Sequence, residues 1–321
     1  MYLVTGGAGF IGSNIVEALV RKGERVRILD NFSTGSRANL ATVDDRVEII
    51  EGDLRDMEVV RRAVEGVTYI SHQAALRSVP RSVDDPMSTD AVNTHGTLQL
   101  LVAARDAKTV RRVVYASSSS AYGDAPTLPK VEDQAPAPIS PYAVAKLAAE
   151  YYCRTFTHLY GLETVSLRYF NVFGPKQSPE SKYAAVVPLF MRAALRDEPL
   201  IVHGDGEQSR DFTYIDNVVQ ANLLACNTAG VGGQVFNIAC NSRHSVIEIA
   251  HTVEKLLGRP VKIEHTPPRA GDVRHTQASI EKAERLLHYH PTVGFGEGMR
   301  RTFAYLCAEL GYATQPAPAA S

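Results

Sequence analysis

Tryptophan is absent from the 321 residues, and cysteine is scarce: four, at Cys153, Cys226, Cys240 and Cys307. The missing indole excludes no fold. The scattered thiols follow no metal-ligand spacing and no paired framework, which excludes a zinc-clipped or disulfide-stapled scaffold. No apolar run approaches the length of a bilayer span, so a membrane is not an expected partner. Net charge is nearly absent too, with 34 Lys plus Arg against 35 Asp plus Glu. No polyanion-attracting field follows, and nucleic acid is not expected as a partner. The first residues run straight into a strand pattern, so the reading expects no secretory leader and a cytoplasmic protein. The length allows a large core and two domains.

What is present is glycine in a particular place. Thr5-Gly-Gly-Ala-Gly-Phe-Ile-Gly12 stands between an apolar run (Tyr2 to Val4) and a helical pattern (Ser13 to Arg21). A strand turning sharply into a helix presents unpaired N–H groups to an anion. Glycines permit the turn, the approach of a pyrophosphate and close helix–strand packing. Gly7, Gly9 and Gly12 fit G-x-G-x-x-G, while Gly6, Gly9 and Gly12 fit G-x-x-G-x-x-G. Arg25 to Leu29 reads as the next strand and ends in Asp30. That acid lies about 20 residues beyond the glycines, where a carboxylate meets the adenosine ribose hydroxyls. It would repel a 2′-phosphate, so the expected cofactor is NAD rather than NADP.

Strands and helices alternate through the first half. Strands are expected at Val47 to Ile50, Tyr69 to His72, Arg112 to Ala116 and Thr164 to Leu167. Helices are expected at Met57 to Val64 behind an Asp56 cap, at Ala91 to Ala107 and at Tyr142 to Tyr160. The order β-α-β predicts an α/β fold: a Rossmann-type doubly wound parallel sheet, with ligands at the carboxyl ends of its strands. After Gly174-Pro175 the texture changes. A helix is expected over Tyr183 to Arg196, a strand at Leu200 to His203, and a helix at Asn217 to Cys226 capped by Asp216. Val235 to Ala239 is a strand able to rejoin the sheet, and Ser245-x-x-Glu248 is a capping box for a helix that stops at Gly258. Further helices are expected near Ile280 to His288 and Gly298 to Leu310. The expected division is 1–174 plus 212–239 for the cofactor, 175–211 plus 240–312 as a smaller α/β substrate domain, and a disordered Ala/Pro-rich tail at 313–321.

The fifth strand runs into Ser117-Ser-Ser-Ser-Ala-Tyr-Gly123, and Tyr142 and Lys146 follow on one helix face at i and i+4. Tyrosine, with a pKa of about 10, is a poor base at neutral pH. A nearby ammonium and a positive nicotinamide ring favour its phenolate. A serine hydroxyl within reach can orient the substrate oxygen. Ser118, Tyr142 and Lys146 thus form a set for taking a proton from an alcohol while hydride leaves its carbon.

These stretches resemble the extended short-chain dehydrogenase/reductases, and among them the UDP-hexose 4-epimerases, especially those accepting UDP-N-acetylglucosamine. The likeness is carried by the glycine turn, Gly52-Asp-Leu54, His72-Gln-Ala-Ala-Leu-Arg-Ser-Val-Pro-Arg81, Tyr115 to Gly123 and Ser140-Pro-Tyr-Ala-Val-Ala-Lys146. It continues through Leu167-Arg-Tyr-Phe-Asn-Val-Phe-Gly174 and Gly204-Asp-Gly to Arg210-Asp-Phe. The resemblance implies that Gly6, Gly9, Phe10, Ile11, Gly12, Asp30 and Asn31 bind NAD. Asp53 and Leu54 would flank the adenine, Ala74, Leu76 and Arg77 would line the cofactor, and Asn93 and Phe170 would stand at the nicotinamide. Ser118 and Tyr142 would contact the sugar O4, with Ser119 and Ser120 close by, and Lys146 the nicotinamide ribose. Asn171, Arg210 and Arg269 would hold the diphosphate, where guanidinium suits phosphate oxygens. Val186, Val187, Ile201 and His203 would enclose the uracil, and Asp272 the uridine ribose.

The resemblance further implies a UDP-sugar substrate and a homodimer paired through the Ala91 and Tyr142 helices. The expected reaction is inversion of the hexose at C4 through a transient 4-keto sugar, with NAD used but not consumed. A nucleotide-sugar 4,6-dehydratase is disfavoured, because Ser119-Ser120 stands where those enzymes carry Asp-Glu. A UDP-uronic acid 4-epimerase stays open, since Arg77, Arg81 or Arg274 could pair a carboxylate, as does a non-catalytic NAD-binding sensor. Thr276 falls where a gatekeeper meets the C2 substituent, and its small size predicts acceptance of both acetylated and non-acetylated sugars. His72 reads as a satisfied strand-end histidine and Cys153 as core packing.

Overall fold

The computed structural model describes residues 1–178, 185–268 and 273–312. Seven parallel strands form one sheet: β1 (Tyr2–Thr5), β2 (Val26–Asp30), β3 (Val47–Glu51), β4 (Tyr69–His72), β5 (Arg112–Ser118), β6 (Glu163–Tyr169) and the strand Val235–Ile238. Their order is Val235–Ile238, β6, β5, β4, β1, β2, β3. Strand order reverses at β1, which pairs with β2 on one side and β4 on the other. A crevice opens outside the carboxyl ends at such a switch point.

The strands are apolar on both faces because helices cover both. Successive β1 residues show it: Val4 joins the cluster with Ile15, Val114 and Phe236, and Leu3 joins the opposite cluster with Val60, Leu101 and Phe156. The first cluster continues into the second half of the chain through Phe190, Leu200, Ile249 and Leu306. There Leu200–His203 pairs with Ile263–Thr266, and Ser209–Arg210 pairs with His244–Ser245.

The local signals at Asp56 and Ser245 behave as expected. Asp56 accepts the Glu58 and Val59 N–H groups, and Ser245 with Glu248 closes a reciprocal capping box. Val235–Ile238 does rejoin the sheet, beside β6. Three expectations need correction. The fifth and sixth strands run further, to Ser118 and Tyr169, which pair as the last rung of the ladder. The helix expected from Ala91 begins as a π turn, Ala91–Gly96, before Thr97–Ala107, and short helices Val79–Asp84 and Pro86–Asp90 precede it. Asp216 is no cap, because the helix Ile215–Asn227 has already begun; its carboxylate pairs with Arg301 at 3.2 Å. The helix read from Tyr183 is Val186–Leu195 within the described residues, its expected start lying outside them.

Candidate active site

The glycine turn is built by close backbone contact. Gly6 has φ +66°, and a β-carbon on Gly12 would meet the Gly6 carbonyl oxygen at 2.1 Å. The turn delivers Gly9 to the start of the helix Phe10–Arg21. Helix geometry leaves the first-turn N–H groups of Phe10, Ile11 and Gly12 without intrahelical acceptors, aimed at the cleft. Asp30 ends β2 almost fully buried; its two oxygens accept the Ala8 and Phe32 N–H groups, each at 2.8 Å. It therefore braces the turn while lone pairs remain for hydroxyl donors.

A cleft of about 320 Å³ runs from this turn along the strand ends. Of the residues expected at the cofactor, Gly6, Gly9, Phe10, Ile11, Gly12, Asp30, Asn31, Asp53, Leu54, Ala74, Leu76, Arg77, Tyr142 and Lys146 line it. Beside Asp30, the Asn31 amide donates to Asp53 at 2.8 Å, and Arg55 grips the same carboxylate with two side-chain bonds of 2.9 Å. Arg55 holds the Asp53 carboxyl well below the usual range. Asn93 and Phe170 do not line the cleft. Asn93 is buried in the π turn, and its carboxamide bonds both the N–H and the C=O of Leu76, fixing the loop that carries Arg77. Phe170 lies in the core against Tyr122, and its neighbour Tyr169 takes the cleft wall.

His72 bridges Thr5 at 2.6 Å and Thr97 at 2.9 Å, satisfied as expected. Burial, with Lys146 adding, pushes its pKa down to about 3, so it stays neutral. Cys153 is fully buried.

At the inner end Tyr142 lines the cleft, and Ser118, which does not line it, stands close enough to the phenol to favour its ionised form. Ser120 donates to the Ser118 oxygen at 2.9 Å, and Ser119 begins the 3-10 turn that carries Ser120. Burial raises the Tyr142 pKa, while the Ser118 side chain and the Arg77 charge oppose it. Lys146 is buried, sits 5.0 Å from the Tyr115 ring centre and donates to the Ala116 carbonyl at 2.8 Å. Burial pushes its pKa down to about 7. The Arg77 charge thus adds to the expected set around Tyr142.

The remaining expected residues lie on the second half and at its junction with β6. Asn171 has φ +27° and donates to the Asp211 carbonyl at 3.2 Å. Arg210 donates to the carbonyls of Ser209 and Arg274, and Thr276 donates its N–H to Ser209 at 3.0 Å. Val186 and Val187 open the helix Val186–Leu195; Ile201 and His203 share one face of their strand, with His203 bonded to Thr266 at 2.7 Å. Arg269 and Asp272 lie outside the described residues.

Three features were missed from sequence. Gln73 bonds both Tyr169 and Asn222 on the cleft floor, and Asn222 donates to the Tyr169 hydroxyl at 2.8 Å. Asp211 is buried behind Arg210, its carboxyl accepting the Cys240 and Ala278 N–H groups, and burial pushes its pKa up to about 7. Glu150 and Arg168 form a buried ion pair at 2.7 Å. The Glu150 position was findable, since it continues the i, i+4 stripe of Tyr142 and Lys146.

A glycine turn under a first helix and an acid at the end of β2 have the form of a dinucleotide site, with Tyr142 and a buried Lys146 further along the same cleft. Residues 2–239 match the NAD dependent epimerase/dehydratase family, and the chain belongs to it. It is 38% identical to a UDP-glucose 4-epimerase of Mycolicibacterium smegmatis over 94% of this chain and 97% of that one. It is similar in structure to a UDP-glucose 4-epimerase from Thermotoga maritima solved with UDP-glucose, at TM-score 0.92 and 36% identity over 96% and 99% of the two chains. A UDP-N-acetylglucosamine 4-epimerase from Methanobrevibacter ruminantium, solved with UDP-N-acetylmuramic acid, gives TM-score 0.92 and 36% identity over 96% and 98%. The cofactor of the family is NAD, and the crowded glycine turn, the first-turn N–H groups and Asp30 fit that group.

Proposed function

We propose that the protein is a UDP-hexose 4-epimerase, acting on UDP-glucose/UDP-galactose and on the acetylated pair UDP-GlcNAc/UDP-GalNAc. The observation that carries this reading is Tyr142 and Lys146 together on the wall of the cofactor cleft, with Ser118 beside the phenol. Tyr142 takes the proton from O4 and returns it, while Ser118 orients that oxygen. Arg77 favours the phenolate that does so. NAD, when bound, supplies the hydride acceptor and then the hydride donor at C4. Asn171, Arg210 and Arg269 hold the diphosphate, Val186, Val187, Ile201 and His203 the uracil, and Asp272 its ribose. A firm grip on the nucleotide and a loose one on the hexose let the 4-keto sugar present either face. In this division of labour, 1–174 plus 212–239 serve the cofactor and 175–211 plus 240–312 the nucleotide sugar.

Arg77 beside Tyr142 also favours a second reading, a UDP-uronic acid 4-epimerase, with the guanidinium on the C6 carboxylate. Arg274 suits that role less well, being paired to Asp205 at 2.7 Å. A homodimer is supported by apolar side chains left in solvent on neighbouring helices: Val83, Met87, Val144, Tyr151 and Leu159. Free thiols at all four cysteines suit the cytoplasm.

Purified protein without added NAD, mixed with each of the four UDP-sugars and with a UDP-uronic acid and followed by NMR, tests the proposal. The expected result is a mixture of the C4 epimers. Turnover of UDP-uronic acid alone would move the assignment to that substrate, and a deoxygenated C6 product would make the protein a dehydratase. NAD-loaded protein inert toward all of them would make it a binding protein.

A further inference from the structure

The helix Pro141–Tyr160 carries Tyr142, Lys146 and Glu150 at i, i+4 and i+8, on one face. Three consecutive residues of β5 meet these three side chains. Ala116 accepts from Lys146 at 2.8 Å, Ser117 donates to Glu150 at 2.6 Å, and Ser118 stands beside Tyr142. Glu150 is held from a second strand as well. Arg168 of β6 reaches its two oxygens at 2.7 and 3.0 Å, and the guanidinium stacks over the Tyr122 ring at 4.7 Å. Side-chain exposure is 4% for Arg168 and 3% for Glu150. Neither line of the cleft wall nor the proton chemistry proposed above uses either group.

A buried ion pair is weak evidence for stability. Desolvation offsets most of its Coulombic gain, and apolar replacements of similar volume are often neutral or stabilising. What this pair supplies is geometry. It ties the axial position and rotation of one helix to two strands at the rung where Ser117 faces Arg168. The same helix carries Tyr142, and the next residue of the same strand is Ser118.

We infer that Glu150, clamped by Arg168, is a positioning residue that sets the Tyr142 phenol against Ser118 through the Ser117 bond. The inference rests on the proposed epimerase reading for its kinetic consequence, but the geometry it concerns can be read without substrate. Loss of the clamp lets the helix shift against β5, and misplacement of reacting groups by about 1 Å can cost about 10²-fold in rate. The residues proposed to hold the UDP lie on other elements, so the loss falls on kcat.

The test uses full-length protein labelled with [13Cζ]tyrosine, with the Tyr142 resonance assigned by Tyr142→Phe. Glu150→Met/Arg168→Met removes both charges together, and Ser117→Ala removes only the link to β5. The Tyr142 resonance is expected to move in both variants. For the double variant, kcat per folded, NAD-loaded active site is expected to fall about 10²-fold while KM stays within about threefold. Should the double variant not fold, Ser117→Ala decides. An unmoved Tyr142 resonance in the folded variants, or a double-variant kcat equal to wild type, overturns the positioning role. Wild-type protein that turns over no UDP-sugar would instead overturn the proposed function, and the resonance would still decide the geometry.

Discussion

Arg77 lies close enough to Tyr142 for its charge to favour the phenolate, against the burial that raises the phenol's pKa. The loop after β4 brings it there, fixed by Asn93 through both polar groups of Leu76. Lys146 directs its own Nζ at the Ala116 carbonyl. Arg77 and Lys146 both line the cleft beside Tyr142.

Arg77→Leu removes the favourable charge, so the Tyr142 pKa rises. The acid limb of the kcat–pH profile should move to higher pH, by about one unit for each tenfold loss at neutral pH. An unshifted profile would take Arg77 out of the proton chemistry.

Lys146 gives a pH dependence of stability. Its pKa is about 7 folded and 10.5 ordinarily. Between those values the unfolded chain binds the extra proton, so the Lys146 contribution to stability rises with pH across that window. Below about pH 7 both states are charged, and the full cost of burying the ammonium applies. Melting temperatures of wild type and Lys146→Met, compared from pH 7 to 10, should show wild type gaining on the variant. A constant difference would contradict the burial of a titrating amine.

Gly12→Ala places a β-carbon 2.1 Å from the Gly6 carbonyl oxygen, so the turn must open. The expected cost is about 1–3 kcal/mol in stability, as for other overpacked sites. Displaced first-turn N–H groups should also loosen the cofactor. Thermal melts and the NAD retained through gel filtration check both; unchanged retention would mean that the turn does not set the pyrophosphate site.

Thr276→Tyr probes the sugar end. The ring should crowd the C2 substituent, lowering kcat/KM for the acetylated pair by at least about 10-fold while largely sparing UDP-glucose and UDP-galactose. Equal losses on both pairs would remove Thr276 as the gatekeeper.

Much of the fold and part of the site were legible because their chemistry is local. The glycine turn, the Asp30 distance, the Tyr142–Lys146 spacing and the Ser245 capping box each lie within one supersecondary unit. The clamp on Glu150 joins a helix to two strands, and Gln73, Tyr169 and Asn222 meet only when β4, β6 and a later helix are stacked. Such contacts have no sequence period. Phe170 was placed by resemblance alone, and a residue just past the end of β6 carries no local signal of which side it takes: it packs on Tyr122, and Tyr169 reaches the cleft. Asp216 misled differently, since an acid before a helical pattern suits a cap and a first turn equally.

In the proposed reaction one hydrogen leaves C4 of the sugar and comes back to the same carbon. UDP-galactose carrying deuterium at C4, incubated with the protein in ordinary water and analysed by mass spectrometry and NMR, tests it most directly. The account predicts UDP-glucose with the deuterium still at C4; product carrying solvent hydrogen there would contradict it.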